Sequence, residues 1–312
     1  MNCFTKIANY YKKIINILHS HIVPEGIENI RLQNYAPAIF YDFIPSNSGI
    51  KKAIKRGQLL INGEIAQTAT YVQFGQVIEL LETPQSQPKI FELPLEILFE
   101  DNFMAAIHKP AGFSVSGNAY KTIYNALPFN LKKSTESDAL PWPTSVHRLD
   151  NQTSGILLIA KTKTAQIALG NQFENHTIQK KYCAVVIGEA LLNGKIKSPI
   201  EDKIAETDFE VITVVNSLRF GHLSLLNVFP KTGRTHQIRI HLASINHPIF
   251  GDKIYLEEKM LHKGKGLFLC ATEISFLHPK TSEEINLKIA TPHKFGSLLL
   301  REQRRWDNSQ KS

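Results

Sequence analysis

Cysteine is scarce in this chain of 312 residues: there are three, Cys3, Cys183 and Cys270, far apart and without a C-x-x-C pair. That excludes a disulfide-stapled scaffold and a thiol-based zinc or redox motif, and it points to a reducing, cytoplasmic setting. Long apolar runs are missing too, since none reaches the roughly 18 to 20 residues of a membrane span. Near the N-terminus Lys12 and Lys13 interrupt the apolar stretch and no small-residue cleavage site follows, so neither an anchor nor a signal peptide is expected. No repeat with a period of roughly 20 to 50 residues is present, which argues against a solenoid or propeller. Negative charge is in the minority: 28 Asp and Glu against 36 Lys and Arg leave +8 at pH 7, a balance that favours anionic partners such as nucleic acid.

What remains is ordinary globular material, 43% hydrophobic and 21% charged, so the chain folds. At roughly 150 residues per domain, its length suggests about two domains. Residues 1–28 read as a basic amphipathic leader, with Ile7, Tyr10, Tyr11, Ile14 and Leu18 at helical spacing. A small unit follows over 29–82. The polar, proline-bearing stretch 83–92 reads as a linker. Residues 93–300, where alternating apolar stretches interleave with helical patterns, form the large domain, and 301–312 is a polar tail expected to fray.

In the small unit, Pro45 to Gly49 reads as a capped turn, Ile50 to Gly57 as a helix closed by glycine, and Leu59 to Ile65 as a hairpin turning at Asn62-Gly63. Lys51, Lys52, Lys55 and Arg56 crowd one helix face while Ile50 and Ile54 stack on the other. A charge run of this kind is ordinarily a solvated face. The order of basic helix, glycine, apolar strand and Asn-Gly resembles the S4-type RNA-binding module, and that resemblance implies that the four cations meet RNA.

The large domain carries four stretches of interest. His147-Arg148-Leu149-Asp150 precedes Thr153-Ser154-Gly155, then an aliphatic run ending in Ala160-Lys161. An aspartate in such a loop is ordinarily an Asx-turn or capping residue. Lys109-Pro110-Ala111-Gly112 reads as a strand end turning at a pocket rim. Lys181 to Gly188 alternates as a strand, with Tyr182 and Ala184 on one face, where a tyrosine ordinarily packs. The longest runs from Pro230 to Ala243 and closes at Pro248-Ile249-Phe250-Gly251-Asp252. In it Ile238, Leu242 and Ile245 form a buried helical stripe, Arg234 stands at the helix opening and Arg239 on another side. His236 and His241 are not spaced as a helical zinc pair, and Lys231-Thr232-Gly233 lacks the P-loop order, so no metal or nucleotide cofactor is expected.

Taken in order, these four stretches resemble the RluA family of RNA pseudouridine synthases. Two positions depart from the family's usual histidines, Ser116 and Cys270. The resemblance implies an α+β catalytic domain on a mixed, largely antiparallel sheet, preceded by a small S4-like α/β domain. It implies an isomerisation of uridine to pseudouridine without cofactor or metal. Asp150 is then the catalytic carboxylate, acting on the ribose or base of a flipped-out nucleotide. Arg234 is the guanidinium beside it, Tyr182 the aromatic ring that stacks on the base, and Arg148 the side chain that fills the hole the base leaves. Lys109, Lys161 and Arg239 are read as structural or backbone-binding. The RNA is ribosomal in preference to transfer RNA, since S4-bearing relatives often act there. The runner-up is a catalytically silent S4-type RNA-binding or ribosome-assembly protein, against which intact Asp150, Tyr182 and Arg234 speak. A metal-dependent nuclease would need clustered ligands, and the sequence has none.

Overall fold

A computed structural model describes residues 17–44, 46–82, 89–257 and 264–311, and the chain divides into two units between Pro88 and Lys89. The first unit runs β1 (Ile17–Ile22), β2 (Ile30–Arg31), α1 (Leu32–Ile39), α2 (Asn47–Lys55), β3 (Leu59–Ile61), β4 (Glu64–Ile65), β5 (Tyr71–Val72) and β6 (Val77–Leu81). Its main sheet has the order β1-β6-β3-β4, and β2 pairs with β5. Local chemistry sets these elements. The Ser46 hydroxyl accepts the Gly49 amide at 3.1 Å and caps α2, whose Ile50, Ala53 and Ile54 are buried while Lys51, Lys52, Lys55 and Arg56 are exposed. Asn62 and Gly63 both take positive φ, 51° and 81°, as a tight two-residue hairpin requires.

One boundary is corrected here. Residues 17–22, read as the end of a helical leader, form β1, which pairs antiparallel with β6, and the Val23 that follows is fully buried. Pairing with β6, which would otherwise be an open edge, outweighs the helical spacing. The stretch 23–28 of that reading likewise belongs to the first unit, with Val23 in its core and Ile27 packed against it, and 1–16 lies outside the described residues.

The second unit runs β7 (Glu96–Glu100), β8 (Met104–Lys109), α3 (Ile123–Asn130), β9 (Ala139–Ser145), β10 (Ser154–Thr162), α4 (Lys163–Glu174) and β11 (Gln179–Ile187). It continues with β12 (Asn193–Lys197), β13 (Glu206–Ser217), β14 (Gly221–Pro230), α5 (Gln237–Ser244), β15 (Leu269–Leu277), β16 (Glu284–Lys288) and α6 (His293–Ser309). One sheet takes the order β12-β13-β14-β11-β15-β10-β8-β7, with β9 added on β10 and β16 on β15. Its strand pairings are antiparallel except the short parallel join of β10 to β15, so the α+β class with a mixed, largely antiparallel sheet is what the chain adopts. β10 is covered on both faces: Leu157 and Ile159 enter one core cluster, Ile156 and Leu158 another, the alternation a doubly buried strand requires. At the parallel join, Gly155 has φ 125°, and a Cβ there would strike the Ala271 backbone. Only glycine lets the two strands approach so closely.

Two further boundaries move. Residues 89–92 belong to the second unit, since the Phe91 amide donates to the Asn125 carbonyl at 2.9 Å and its ring packs on Phe113 and Tyr120. The polar tail expected from 301 is, to Ser309, the second half of α6. Phe295, Leu298, Leu299 and Glu302 recur at helical spacing on its buried face, and the Ser217 hydroxyl donates to the Glu302 carboxylate at 2.9 Å. A polar residue inside that stripe masked the helix.

Candidate active site

Asp150 stands in the loop that enters β10, beside the end of β8. Lys109, the last residue of β8, is fully buried, and its ammonium donates to the carbonyls of Pro110 at 3.0 Å, Asn151 at 3.2 Å and Thr153 at 2.8 Å. The Gly112 amide donates to the Asn151 carbonyl at 2.8 Å, and Leu149 is buried on the other side. The backbone around Asp150 is thereby fixed from both ends. Burial pulls the Lys109 amine down to about 8, with the Asp150 charge opposing the shift. The turn after Asp150 is closed by its backbone carbonyl, which accepts the Thr153 amide at 3.0 Å, so the carboxylate is not spent on an Asx-turn. It faces a cleft of about 550 Å³.

Two cationic or protonatable groups meet that carboxylate. Arg239 Nη1 lies 3.5 Å from Oδ2 and His236 Nε2 lies 3.8 Å from Oδ1. The first distance is at the outer limit of a hydrogen bond and the second beyond it, so Arg239 compensates the charge while the oxygens keep room for a ligand. Arg239 is held by Asp252, Nε to Oδ2 at 2.7 Å and Nη2 to Oδ1 at 2.8 Å, and both residues are buried. Burial disfavours each charge, yet the paired hydrogen bonds and mutual attraction outweigh it: the Arg239 pKa is raised and that of Asp252 lowered. The Arg239 guanidinium also lies 5.1 Å from the Tyr255 ring centre. His236, immediately before α5, has a left-handed φ of 55°, and its Nδ1 is 3.0 Å from the Tyr255 hydroxyl.

Arg234 does not make the pairing expected of it. Its Nε donates to the Ile204 carbonyl at 3.1 Å, and among the described residues no carboxylate pairs with it, although it lines the same cleft. The cause is local. The Gln237 side-chain oxygen accepts from the Arg234 amide at 3.0 Å and from the Thr232 hydroxyl at 2.7 Å, which tightens the turn ahead of α5. Arg234 sits in that turn, whereas Arg239, one turn into the helix, reaches Asp150. Arg239, read as structural or backbone-binding, therefore supplies the guanidinium.

Tyr182, His147 and Arg148 line this cleft as well, whereas Lys109 and Lys161 do not. Tyr182 packs at the boundary of two core clusters. Burial first, then the charges at Asp150 and Cys270, raise its pKa, so its hydroxyl stays protonated. The His147 ring stacks on Phe173 at 4.6 Å and its Nε2 accepts the Leu158 amide at 3.0 Å. Burial, then the charge on Lys180, takes it to about 3 and keeps it neutral. Arg148 is exposed along the cleft, and among the described residues no carboxylate pairs with it. Lys51, Lys52, Lys55 and Arg56 are in the first unit, exposed and likewise without acidic partners among the described residues. No group of three or more His, Cys, Asp and Glu side chains converges among those residues as a metal site would need.

A family model described as RNA pseudouridylate synthase matches residues 104–244. The chain is 32% identical over 303 residues to ribosomal large subunit pseudouridine synthase D of Xylella fastidiosa, covering 89% of this chain and 90% of that protein. It is also 32% identical over 309 residues to the protein of that name from Xanthomonas campestris, covering 90% and 92%. The chain belongs to the RluA family of RNA pseudouridine synthases. Its fold matches the solved structure of human RNA pseudouridylate synthase domain containing 1, with a TM-score of 0.54 at 22% identity over 68% of this chain and 87% of that one. As a pseudouridine synthase it is an isomerase that converts uridine to pseudouridine in RNA. The sequence reading missed the roles of His236, Asp252 and Tyr255 in this synthase. Gly251-Asp252 was visible at the close of its motif, but nothing along the chain tied it to Arg239, 13 residues earlier.

Proposed function

We propose that this synthase modifies uridines of large-subunit ribosomal RNA, with Asp150 as the acting carboxylate. The RNA class is supported by the names of its relatives, and such a substrate puts its work in the cytoplasm. The observation that carries the role of Asp150 is that its two oxygens face Arg239 and His236 at 3.5 and 3.8 Å within the cleft, charge-compensated by the guanidinium without a short hydrogen bond to either group.

The reaction breaks the bond from N1 of uracil to C1′ of ribose, turns the base, joins C5 to C1′, and releases the proton from C5 while N1 takes one up, so no atom is gained or lost overall. Both fragments stay in one site throughout, so the residues must hold and orient. Asp150 acts on the ribose or the base, and Tyr182 stacks on the flipped ring. Arg148, exposed and uncommitted, enters the gap the base leaves. The first unit serves as an S4-like RNA grip, its Lys51, Lys52, Lys55 and Arg56 facing phosphate. Ribosomal RNA transcripts tritiated at uridine C5 test this: tritium release is expected from the wild type and not from Asp150→Asn. RNA binding without release in the wild type would overturn the proposal, as would equal release from both proteins.

A further inference from the structure

Among the cations of the cleft, Lys180 shares with Arg148 and Arg234 the lack of a carboxylate partner among the described residues, and of the three it is the one on the strand that carries Tyr182. It lies on β11 two residues before Tyr182, so both side chains point from the same face of the strand into the cleft. Its ammonium reaches the Thr232 carbonyl at 3.5 Å, the outer limit of a hydrogen bond, and among the described residues no carboxylate pairs with it. Asp150 is already compensated by Arg239, and His147, which feels the Lys180 charge, is neutral. Lys180 is therefore a partly buried positive charge with no anion of its own. Burial lowers its pKa, as this lack requires. A chain that keeps such a charge at the wall of a substrate cleft gives up stability for it, and a ligand that brings an anion recovers the loss.

The substrate carries such anions. A uridine swung out of RNA remains joined to a phosphate on each side, and once the base is cut loose only the sugar-phosphate chain holds the ribose in place. We propose that Lys180 is a phosphate-binding residue, contacting one of the two phosphates that flank the target uridine and so fixing C1′ while the base turns. This rests on the reading that the Asp150 cleft receives a uridine of an RNA strand. A uracil oxygen fits the site less well, since a neutral carbonyl, that of Thr232, is already in reach and what is lacking is a formal charge.

The test uses single-turnover kinetics on a short RNA carrying the mapped target uridine, with each flanking phosphate replaced in turn by a neutral methylphosphonate. In the wild type, one of the two replacements is expected to lower the rate by about 10- to 100-fold, the worth of one charge-assisted contact. Lys180→Met should show that loss on the unmodified RNA and no further loss on that methylphosphonate, and Lys180→Arg should regain most of it. Lys180→Met should also unfold at or above the wild-type temperature, since a partly buried charge without an anionic partner has gone. An undiminished methylphosphonate penalty in Lys180→Met, full activity of that variant, or a clear drop in its stability would each overturn the assignment. A wild type that converts no uridine would instead bring down the functional reading, and this inference with it.

Discussion

Arg239 and Asp252 form a two-point grip, Nε to Oδ2 at 2.7 Å and Nη2 to Oδ1 at 2.8 Å, which leaves Nη1 turned toward Asp150 at 3.5 Å. The fork fixes both the plane and the direction of the guanidinium, so a single cation serves structure on one side and the Asp150 carboxylate on the other.

Arg239 is consequently the arginine on which turnover is expected to depend. Arg239→Met leaves Asp252 buried and unpaired as well as stripping Asp150, and turnover should fall by more than about a hundredfold, from a loss of about 3 to 5 kcal/mol. Arg239→Lys should recover little of it, because an ammonium cannot make the fork. Arg234→Met should cost less than about tenfold, in keeping with a partly exposed side chain bound to one carbonyl. Tritium release from C5-labelled RNA measures all three, and a reversed order of the two arginines would refute the assignment.

Lys109 ties three carbonyls of the Asp150 loop together. Lys109→Met removes that tie and leaves buried oxygens unsatisfied, so stability in urea should drop by about 1 to 3 kcal/mol. Turnover should drop with it even under conditions where the variant is fully folded, since the loop no longer holds its aspartate in register. Unchanged turnover in a folded variant would show that the clamp is dispensable.

His147 gives stability a slope on the acid side. Its folded pKa is about 3 against 6.5 for the free side chain, so between those values the unfolded chain binds the extra proton. The contribution is complete above about pH 6.5 and is lost as pH falls toward about 3, at up to about 1.4 kcal/mol per pH unit. His147→Gln, which can still offer an acceptor to the Leu158 amide, should flatten this limb. Urea titrations between pH 4 and 8 compare the two, and parallel curves would count against the neutral ring.

Tyr182 contributes a ring and a hydroxyl that stays protonated. Tyr182→Ala should weaken RNA engagement by about 1 to 3 kcal/mol of stacking, while Tyr182→Phe should hold KM within about twofold. Any fall in kcat for the phenylalanine variant then reports the hydroxyl alone. The wild-type rate profile should show no limb from tyrosine ionisation below about pH 10.

Legibility followed the range of the interactions. The α2 helix, the Asn62-Gly63 turn and strands β10 and β11 were readable because capping, turn conformation and alternation act over a few residues. Residues 17–22 and 301–309 were misread because their fate depends on partners far along the chain, β6 for the first and Ser217 for the second. Helical spacing in one and polarity in the other are weaker than the pairing and packing those partners offer. The site behaved the same way. Asp150, Tyr182 and Arg148 were found by motif and share one cleft, whereas the choice between Arg234 and Arg239 turned on how Gln237 closes the turn between them.

By itself, the order of residues determined the chemistry available here: an aspartate in a turn-rich loop, an aromatic ring two positions along a strand from a lysine, two arginines five apart, and an excess of positive charge suited to RNA. Which arginine meets the aspartate, which histidine stays neutral and which lysine is left without a counter-ion were decided only when strands and a helix distant in sequence closed around one cleft. Charge compensation and desolvation depend on distances of a few ångström in space, and separation along the chain does not encode them.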